Sequence, residues 1–210
     1  MTEKKLKIAM SLIGVTLTGI SVGIFQAAAL GTDPLTCFAT ALANYFGSTY
    51  AICFTIITAV LLAIVFILKK HYIGLATVLS LCLIGIMADF GREMMNSMII
   101  APTMTQRVIM MIFAVILLSF ASSLYYTADL GVSSYDALAL MASNDYHIAQ
   151  FRFCRITTDL FCVSVGFIGG ANIGIGTVIT AFMMGPFVQW FNEHFSEPLL
   201  RRQSSVEALA

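Results

Sequence analysis

Near the start of one apolar run, Arg152-x-x-Arg155-x-x-x-Asp159 sets two guanidinium groups and a carboxylate three and four residues apart, on one face of a helix. Asp159 lies seven residues past Arg152, so ~10 Å deeper along the helix axis. An unpaired carboxylate among lipid chains costs roughly 2.5–3.5 kcal/mol or more, so Asp159 must face protein or water. Arg155, four residues back, is its nearest partner. Two readings stay open. The three residues line a polar solute path, or they form a local ion pair that pins the helix, with Arg152 and Arg155 reaching toward an interface.

A second candidate set lies at two chain breaks. The first reads Leu30-Gly31-Thr32-Asp33-Pro34, the second Leu130-Gly131-Val132-Ser133-Ser134-Tyr135-Asp136. Glycine ends a long helix, and Asp, Ser or Pro opens the next. The start of such a helix offers unpaired N–H groups and partial positive charge to an anion or a carbonyl. Asp33 is placed as an N-cap, and Asp136 as a first-turn acid behind a serine cap; either can instead belong to a site. Thr32, Ser133 and Ser134 accompany them, and Gly31, Pro34 and Gly131 make the breaks. Gln26 and Asp129 lie near the ends of the preceding helices and read first as interfacial.

Other chemistry has little support. Gly131-Val132-Ser133-Ser134 is only loosely like a rhomboid serine motif, lacking the glycine after serine. Tyr135-Asp136 is one half of an intramembrane aspartyl site without the Gly-x-Gly-Asp half. There is no H-E-x-x-H and no Walker A loop. The five cysteines (Cys37, Cys53, Cys82, Cys154, Cys162) sit in apolar stretches without a C-x-x-C pair and read as packing residues. His71, His147 and His194 lie far apart with no second ligand at helical spacing. The sequence therefore predicts no catalytic residue, no metal site and no cofactor. Tyr125, Tyr126, Tyr135, Tyr146 and Trp190 read as interfacial anchors. Glycines 166, 169, 170, 174, 176 and 185, with Pro186, read as close-packing positions.

The elements that must hold these residues are apolar helices. Hydrophobic residues make up 59% and charged residues 10%, against roughly 25% charged in a soluble domain, too few to cover a water-exposed surface. The formal net charge of +0 leaves no footprint for nucleic acid. Charge-poor runs at about 8–30, 50–68, 72–88, 108–128, 148–168 and 171–191 match the length needed to cross ~30 Å of hydrocarbon. Two shorter apolar segments, about 35–46 and 135–143, follow the first and fourth runs. They cannot span, and must re-enter part-way or lie along the interface.

The two breaks are 100 residues apart, and the same offset recurs along the chain. It relates Ile73-Gly74-x-x-Thr77-Val78 to Ile173-Gly174-x-x-Thr177-Val178, Gly85 to Gly185, Asn44 to Asn144 and Phe90 to Trp190. The sequence is thus read as a duplication. With Lys4, Lys5 and Lys7 in the cytoplasm and three crossings per repeat, Lys69, Lys70, Arg152, Arg201 and Arg202 also fall inside. Only Arg92 and Arg107 fall outside. An odd number of crossings inverts the second repeat. The expected fold is an all-α membrane protein of about six transmembrane helices in two inverted three-helix repeats, each with a short re-entrant or interfacial helix after its first span. Repeat one covers about 8–98 and repeat two about 108–195. The whole chain, 1–210, is one transmembrane domain, with a polar tail from about 197 that is expected to fray in the cytoplasm.

The Leu-Gly-x-x-Pro break, its echo Leu130-Gly131-Val132-Ser133-Ser134-Tyr135-Asp136-Ala137-Leu138, and Ile173-Gly174-Ile175-Gly176-Thr177 together resemble the YczE/YyaS/YitT family over nearly the whole chain. The chain departs from that pattern in carrying Ser134 where a proline is common. The resemblance implies a bacterial inner-membrane protein and names no activity. The functional expectation is a small-solute transporter or channel-like protein with its path between the inverted repeats. That path runs past Asp159, Arg155, Arg152, Asp136, Ser133, Ser134, Asp33 and Thr32. The alternative is a non-transporting accessory or scaffold that stabilises a partner complex. Both readings make the chain a non-enzyme, multi-pass, with both termini cytoplasmic. Its partners are then the lipid bilayer and a small molecule; the sequence sets no oligomeric state.

Overall fold

The computed structural model describes residues 3–48, 50–69, 73–171 and 173–208, without the side chains of residues 3, 50, 51, 152 and 203–208. Lys70 and His71 lie outside the described residues. All described elements are helical. The first half comprises α1 (Glu3–Ala28), α2 (Pro34–Phe46), α3 (Tyr50–Leu68) and α4 (Leu75–Met98). The second comprises α5 (Met104–Ala128), α6 (Ser134–Leu140), α7 (Phe151–Ile168) and α8 (Ile175–Phe191). A final helix, α9 (Glu197–Ala208), continues from α8 through one wider turn at Asn192–Ser196. The tail expected to fray is thus helical, with Glu197 and Arg201 paired at 3.0 Å one turn apart.

Both breaks have the same local cause. Ala29 and Asp129, at φ 53° and 52°, end α1 and α5 in the left-handed region, and Gly31 and Gly131 follow at φ 109° and 95°. Only glycine adopts the latter values at little cost. The next helix then needs a cap. Asp33 accepts the amide hydrogen of Thr36 at 3.1 Å, with Pro34 at the first helical position. At α6, the Ser133 hydroxyl accepts from the Asp136 amide at 3.2 Å. After Leu140 that helix widens into a π turn at Met141–Asp145, closed by Tyr146 N–H to Met141 C=O at 3.0 Å.

Three of the expected spans are long and apolar enough to cross a membrane: Lys4–Ala28 of α1, α4 and α5. Among the described residues the other three do not reach that measure. Helix α3 contributes a shorter apolar stretch, Ile52–Leu68. Helix α8 has 17 residues, roughly 26 Å, before its wider turn. Helix α7 has 18 residues and carries Arg152, Arg155 and Asp159.

Helices α1 and α5 run antiparallel through the centre. Ser21 donates to the Ala114 carbonyl at 2.6 Å, and Arg107 donates to the Ala28 carbonyl at 3.1 Å. Gly14 lies against Ala121 and Tyr125, with only 2.8 Å between the Ala121 oxygen and the place where a Cβ would sit. Ile24, Phe25, Met110, Val115 and Leu118 join Met184 and Val188 of α8 in the largest buried cluster.

Each break is tied to the start of the other half's last helix. The Ala76 amide donates to Leu130 C=O at 2.9 Å, and the Gly176 amide donates to Leu30 C=O at 2.9 Å. These bonds satisfy first-turn amides that a helix leaves unpaired. The outer faces of α3 and α4 stay apolar and exposed, with Ile52, Ile56, Val60, Ile64, Leu75, Val78 and Ile86 among them.

Candidate functional site: a charged cavity between the two halves

Arg155 is the centre of the buried charge. It rises from the first turns of α7, where the residue is 8% exposed. Its Nε lies 3.3 Å from Asp159 Oδ1 on the same helix, and its Nη1 forms an ion pair with Asp136 of α6. Its guanidinium carbon stands 4.7 Å from the Tyr135 ring centre, a cation–π contact, and Nη2 points at the Met184 sulfur at 4.0 Å. Lysine, a point charge, could not span two carboxylates in this way.

The two carboxylates are held by hydroxyl donors. Ser133 donates to Asp136 Oδ2 at 2.7 Å, and Tyr125 donates to the same oxygen. Tyr135 donates to Asp159 Oδ1 at 2.5 Å. Every neighbour named donates, and each of these bonds favours the charged form of the acid that accepts it. Asp136 is 4% exposed and Asp159 1%. Burial of that kind is tolerable only when partners surround the charge.

A cavity of about 350 Å³ opens beside this cluster. It is bordered by Asp33, Ser133, Ser134, Asp136, Tyr135 and Arg155 on its polar side, and by Val22, Leu35, Phe54, Leu81, Ile84 and Leu118 on its apolar side. Gln26 and Asp89 also border it. Both helix starts thus reach one space. Asp159 lies behind Arg155 and does not border it.

The remaining expected site residues fall elsewhere. Thr32 is engaged in the crossing network, its amide donating to Thr177 Oγ1 at 3.1 Å. The Arg152 side chain lies outside the described residues. Ser134 donates to the Thr58 carbonyl of α3 at 3.2 Å, which ties α6 to the first half. Gly31 and Gly131 shape the backbone, and Pro34 starts α2. Asp129 caps α5 and borders a second cavity of about 720 Å³, with Tyr126, Val132, Asn144, Phe151, Asn192 and Arg201. The free N–H groups expected at the starts of α2 and α6 are partly taken by Asp33 and Ser133 themselves.

Tyr125 and Tyr135 correct the anchor reading. They are 4% and 6% exposed, and their hydroxyls serve buried acids. The available signal was weak: Tyr135 directly precedes Asp136, and Tyr125 stands beside a polar Ser122-Ser123 pair. Tyr146 and Trp190 remain exposed. Gly166 and Gly169 do pack closely, against Cys37 and Ala41 of α2. All five cysteines are free thiols, and Cys82 alone of them is exposed.

Apolar helices around a satisfied ionic cluster and a half-open cavity define an all-helical membrane protein. The chain belongs to the family described as a family of unknown function, DUF6198, whose model matches residues 5–193. It is of the YczE type. It is 25% identical over 167 residues to the uncharacterized membrane protein YczE of Bacillus subtilis (strain 168), covering 80% of this chain and 75% of that one. It is 27% identical over 188 residues to an uncharacterized protein of Haemophilus influenzae, covering 88% of this chain and 82% of that one. No solved structure matches it.

Proposed function

We propose that this protein is a small-solute transporter or channel-like protein whose path runs between two inverted halves. The observation that carries the reading is one cavity of about 350 Å³ bordered by both broken segments, through Asp33, Ser133 and Asp136, and by Arg155. Paired helix breaks bordering a common cavity are the usual arrangement of a transporter site. A scaffold would be packed solid there.

The inversion is supported by the antiparallel run of α1 and α5 and by the reciprocal ties between each break and the opposite half. In this reading six helices cross the inner membrane of a bacterium. Both termini, Lys69 and Arg201 face the cytoplasm, and no chemistry is performed on the solute. The two cavities form successive parts of one path. Tyr125 and Ser133 border the first, and their chain neighbours Tyr126 and Val132 border the second.

A plug tests this reading. Gly85 borders the cavity, and a Cβ built on it meets nothing within 4 Å, so Gly85→Phe can place a ring at the cavity without a clash at its Cβ. The wild type in liposomes is expected to take up at least one solute from a broad metabolite panel, and Gly85→Phe, folded in equal yield, is expected to lose that uptake. Uptake that never exceeds empty liposomes, together with a stoichiometric partner on purification, supports the accessory reading instead. Topology has its own check. A cysteine at Lys69 in a cysteine-free background should react from the cytoplasmic side only.

A further inference from the structure

The cavity is open on one side. Its exposed border residues are Thr55 on α3 and Leu81, Cys82, Gly85, Ile86 and Asp89 on α4. Helices α3 and α4 scarcely touch, whereas their counterparts α7 and α8 pack together. The outer faces of α3 and α4 carry exposed Ile52, Ile56, Val60, Val78 and Leu81, the faces that meet lipid chains. In the proposed membrane arrangement the opening between them faces the lipid chains.

Charge inside is unequal. Among the described residues Arg155 is the single cation bordering the cavity, and it is already shared by Asp136 and Asp159. Asp89, at the border, pairs with Arg92 at 3.0 Å. Asp33 has no cationic partner among the described residues. Its Oδ2 accepts one amide hydrogen, from Thr36, and its buried Oδ1 receives no hydrogen bond from the described residues. An orphaned carboxylate oxygen is an expensive group to bury, and a ligand that brings an N–H⁺ donor removes that cost. Next to it the walls are aliphatic and aromatic: Val22, Leu35, Phe54 and Leu118.

We infer that the cavity takes an amphiphilic organic cation, its ammonium head on Asp33 and its apolar tail along the α3–α4 opening. This rests on the proposed function and names its substrate class. An anion would meet Asp33, Asp136 and Asp89 and gain only a guanidinium already occupied. A small hydrophilic cation would leave the apolar wall unfilled. At about 350 Å³ the space lies at the small end of the range for small-molecule sites.

The test is equilibrium binding to the full chain in nanodiscs of neutral lipid. The probe is radiolabelled dodecylamine, with unlabelled dodecylamine, dodecanoate, dodecanol and methylammonium as competitors. Empty nanodiscs provide the partition background. Saturable binding of one amine per chain is expected, displaced by dodecylamine and at least tenfold less well by the other three. Asp33→Asn is expected to weaken dodecylamine about tenfold or more, and Asp33→Glu to recover part of it. Thermal midpoints are read on both variants, so that a misfolded chain is not taken for a lost site. Dodecanoate competing as well as the amine, methylammonium competing equally, or folded Asp33→Asn binding unchanged overturns the inference. Failure here is separable from failure of the transport reading. Amine binding without flux in liposomes sinks transport alone, whereas flux of an unrelated solute blocked by Gly85→Phe, with no amine preference, sinks the amphiphile alone.

Discussion

The Thr77 hydroxyl donates to the carbonyl of Val132 at 2.7 Å, crossing from the first turn of α4 to the break that follows α5. Its counterpart 100 residues on, Thr177, accepts the Thr32 amide at 3.1 Å at the opposite break. The same two junctions are so tight that Gly74 and Gly174 have no room for a side chain. A Cβ on Gly74 would lie 2.2 Å from the Leu130 oxygen, and one on Gly174 2.1 Å from the Leu30 oxygen. Backbone cannot yield as a side-chain tip can, so each junction must open to admit a methyl group.

Gly74→Ala and Gly174→Ala are therefore expected each to destabilise the protein by about 2–3 kcal/mol, the upper part of the overpacking range. Gly85→Ala provides the contrast, because nothing lies within 4 Å of its Cβ. Relief of glycine's backbone entropy in a helix should make it neutral or stabilising by about 0.5–1 kcal/mol. Thermal midpoints in one lipid mixture, read on all three, check the ordering. A Gly74→Ala midpoint at or above that of Gly85→Ala would refute the junction argument.

Removing Arg155 strands two buried carboxylates at once. Arg155→Gln is expected to cost about 3–5 kcal/mol of stability, the range for breaking a buried pair from one side. Arg155→Lys should fall between, since one ammonium cannot satisfy Asp136 and Asp159 together. A triple replacement, Arg155→Met with Asp136→Asn and Asp159→Asn, removes the charges together and should recover most of the loss. Denaturation midpoints of the four proteins give the result. A triple variant no more stable than Arg155→Gln would show that the cluster is held by something other than charge pairing.

Much of this site was legible in the sequence, for local reasons. Arg155 and Asp159 are four residues apart on one helix, and a carboxylate at that depth needs a partner. Ser133 and Asp136 are three apart behind a glycine, the pattern of a cap and its first turn. What escaped was tertiary. Asp136 reaches Arg155 only because α6 folds back beside α7, and no short spacing records that. Tyr125 and Tyr135 were misread because a tyrosine near the end of an apolar run looks the same whether its hydroxyl meets headgroups or a buried acid. The separation of α3 from α4, against the contact of α7 with α8, was also hidden, because similar halves give no sign of which one opens. The all-helical class and the two breaks came through because they depend on composition and on residues with fixed backbone preferences.

A pH effect is expected at the end of α3. Lys69 Nζ lies 2.9 Å from Asp145, and the hydrogen bond and charge of that carboxylate raise the lysine above its ordinary 10.5. Because the folded-state value is the higher one, the stabilisation is fully present below 10.5 and is lost as pH rises through the raised value. Both side chains are partly solvated, so the effect is small and weakens with salt. The midpoint of Lys69→Met should sit slightly below wild type at neutral pH in low salt, with the gap constant up to about pH 9 and closing above 10.5. A gap that grew with pH would reverse the sign of this linkage.

The sharpest mechanical prediction concerns the wall between the two cavities. Tyr125 borders one and Tyr126 the other, and their rings meet edge to face with centres 4.6 Å apart. Phe151 backs Tyr126 at 6.1 Å, and Val132 and Ser133 split between the cavities in the same way. In the proposed path this aromatic layer is the closed constriction. Tyr126→Ala removes the ring from the second cavity while leaving the Tyr125 bond to Asp136 in place, so the buried charges keep their partners. The half-buried ring should cost about 2 kcal/mol, below the range for a fully buried aromatic, and the protein should remain folded. Liposomes carrying Tyr126→Ala are expected to leak a small solute several-fold faster than those carrying wild type. Tyr146→Ala, whose ring is 54% exposed, should not leak. If Tyr126→Ala loses stability as expected yet leaks no faster than wild type, the two cavities are not parts of one path.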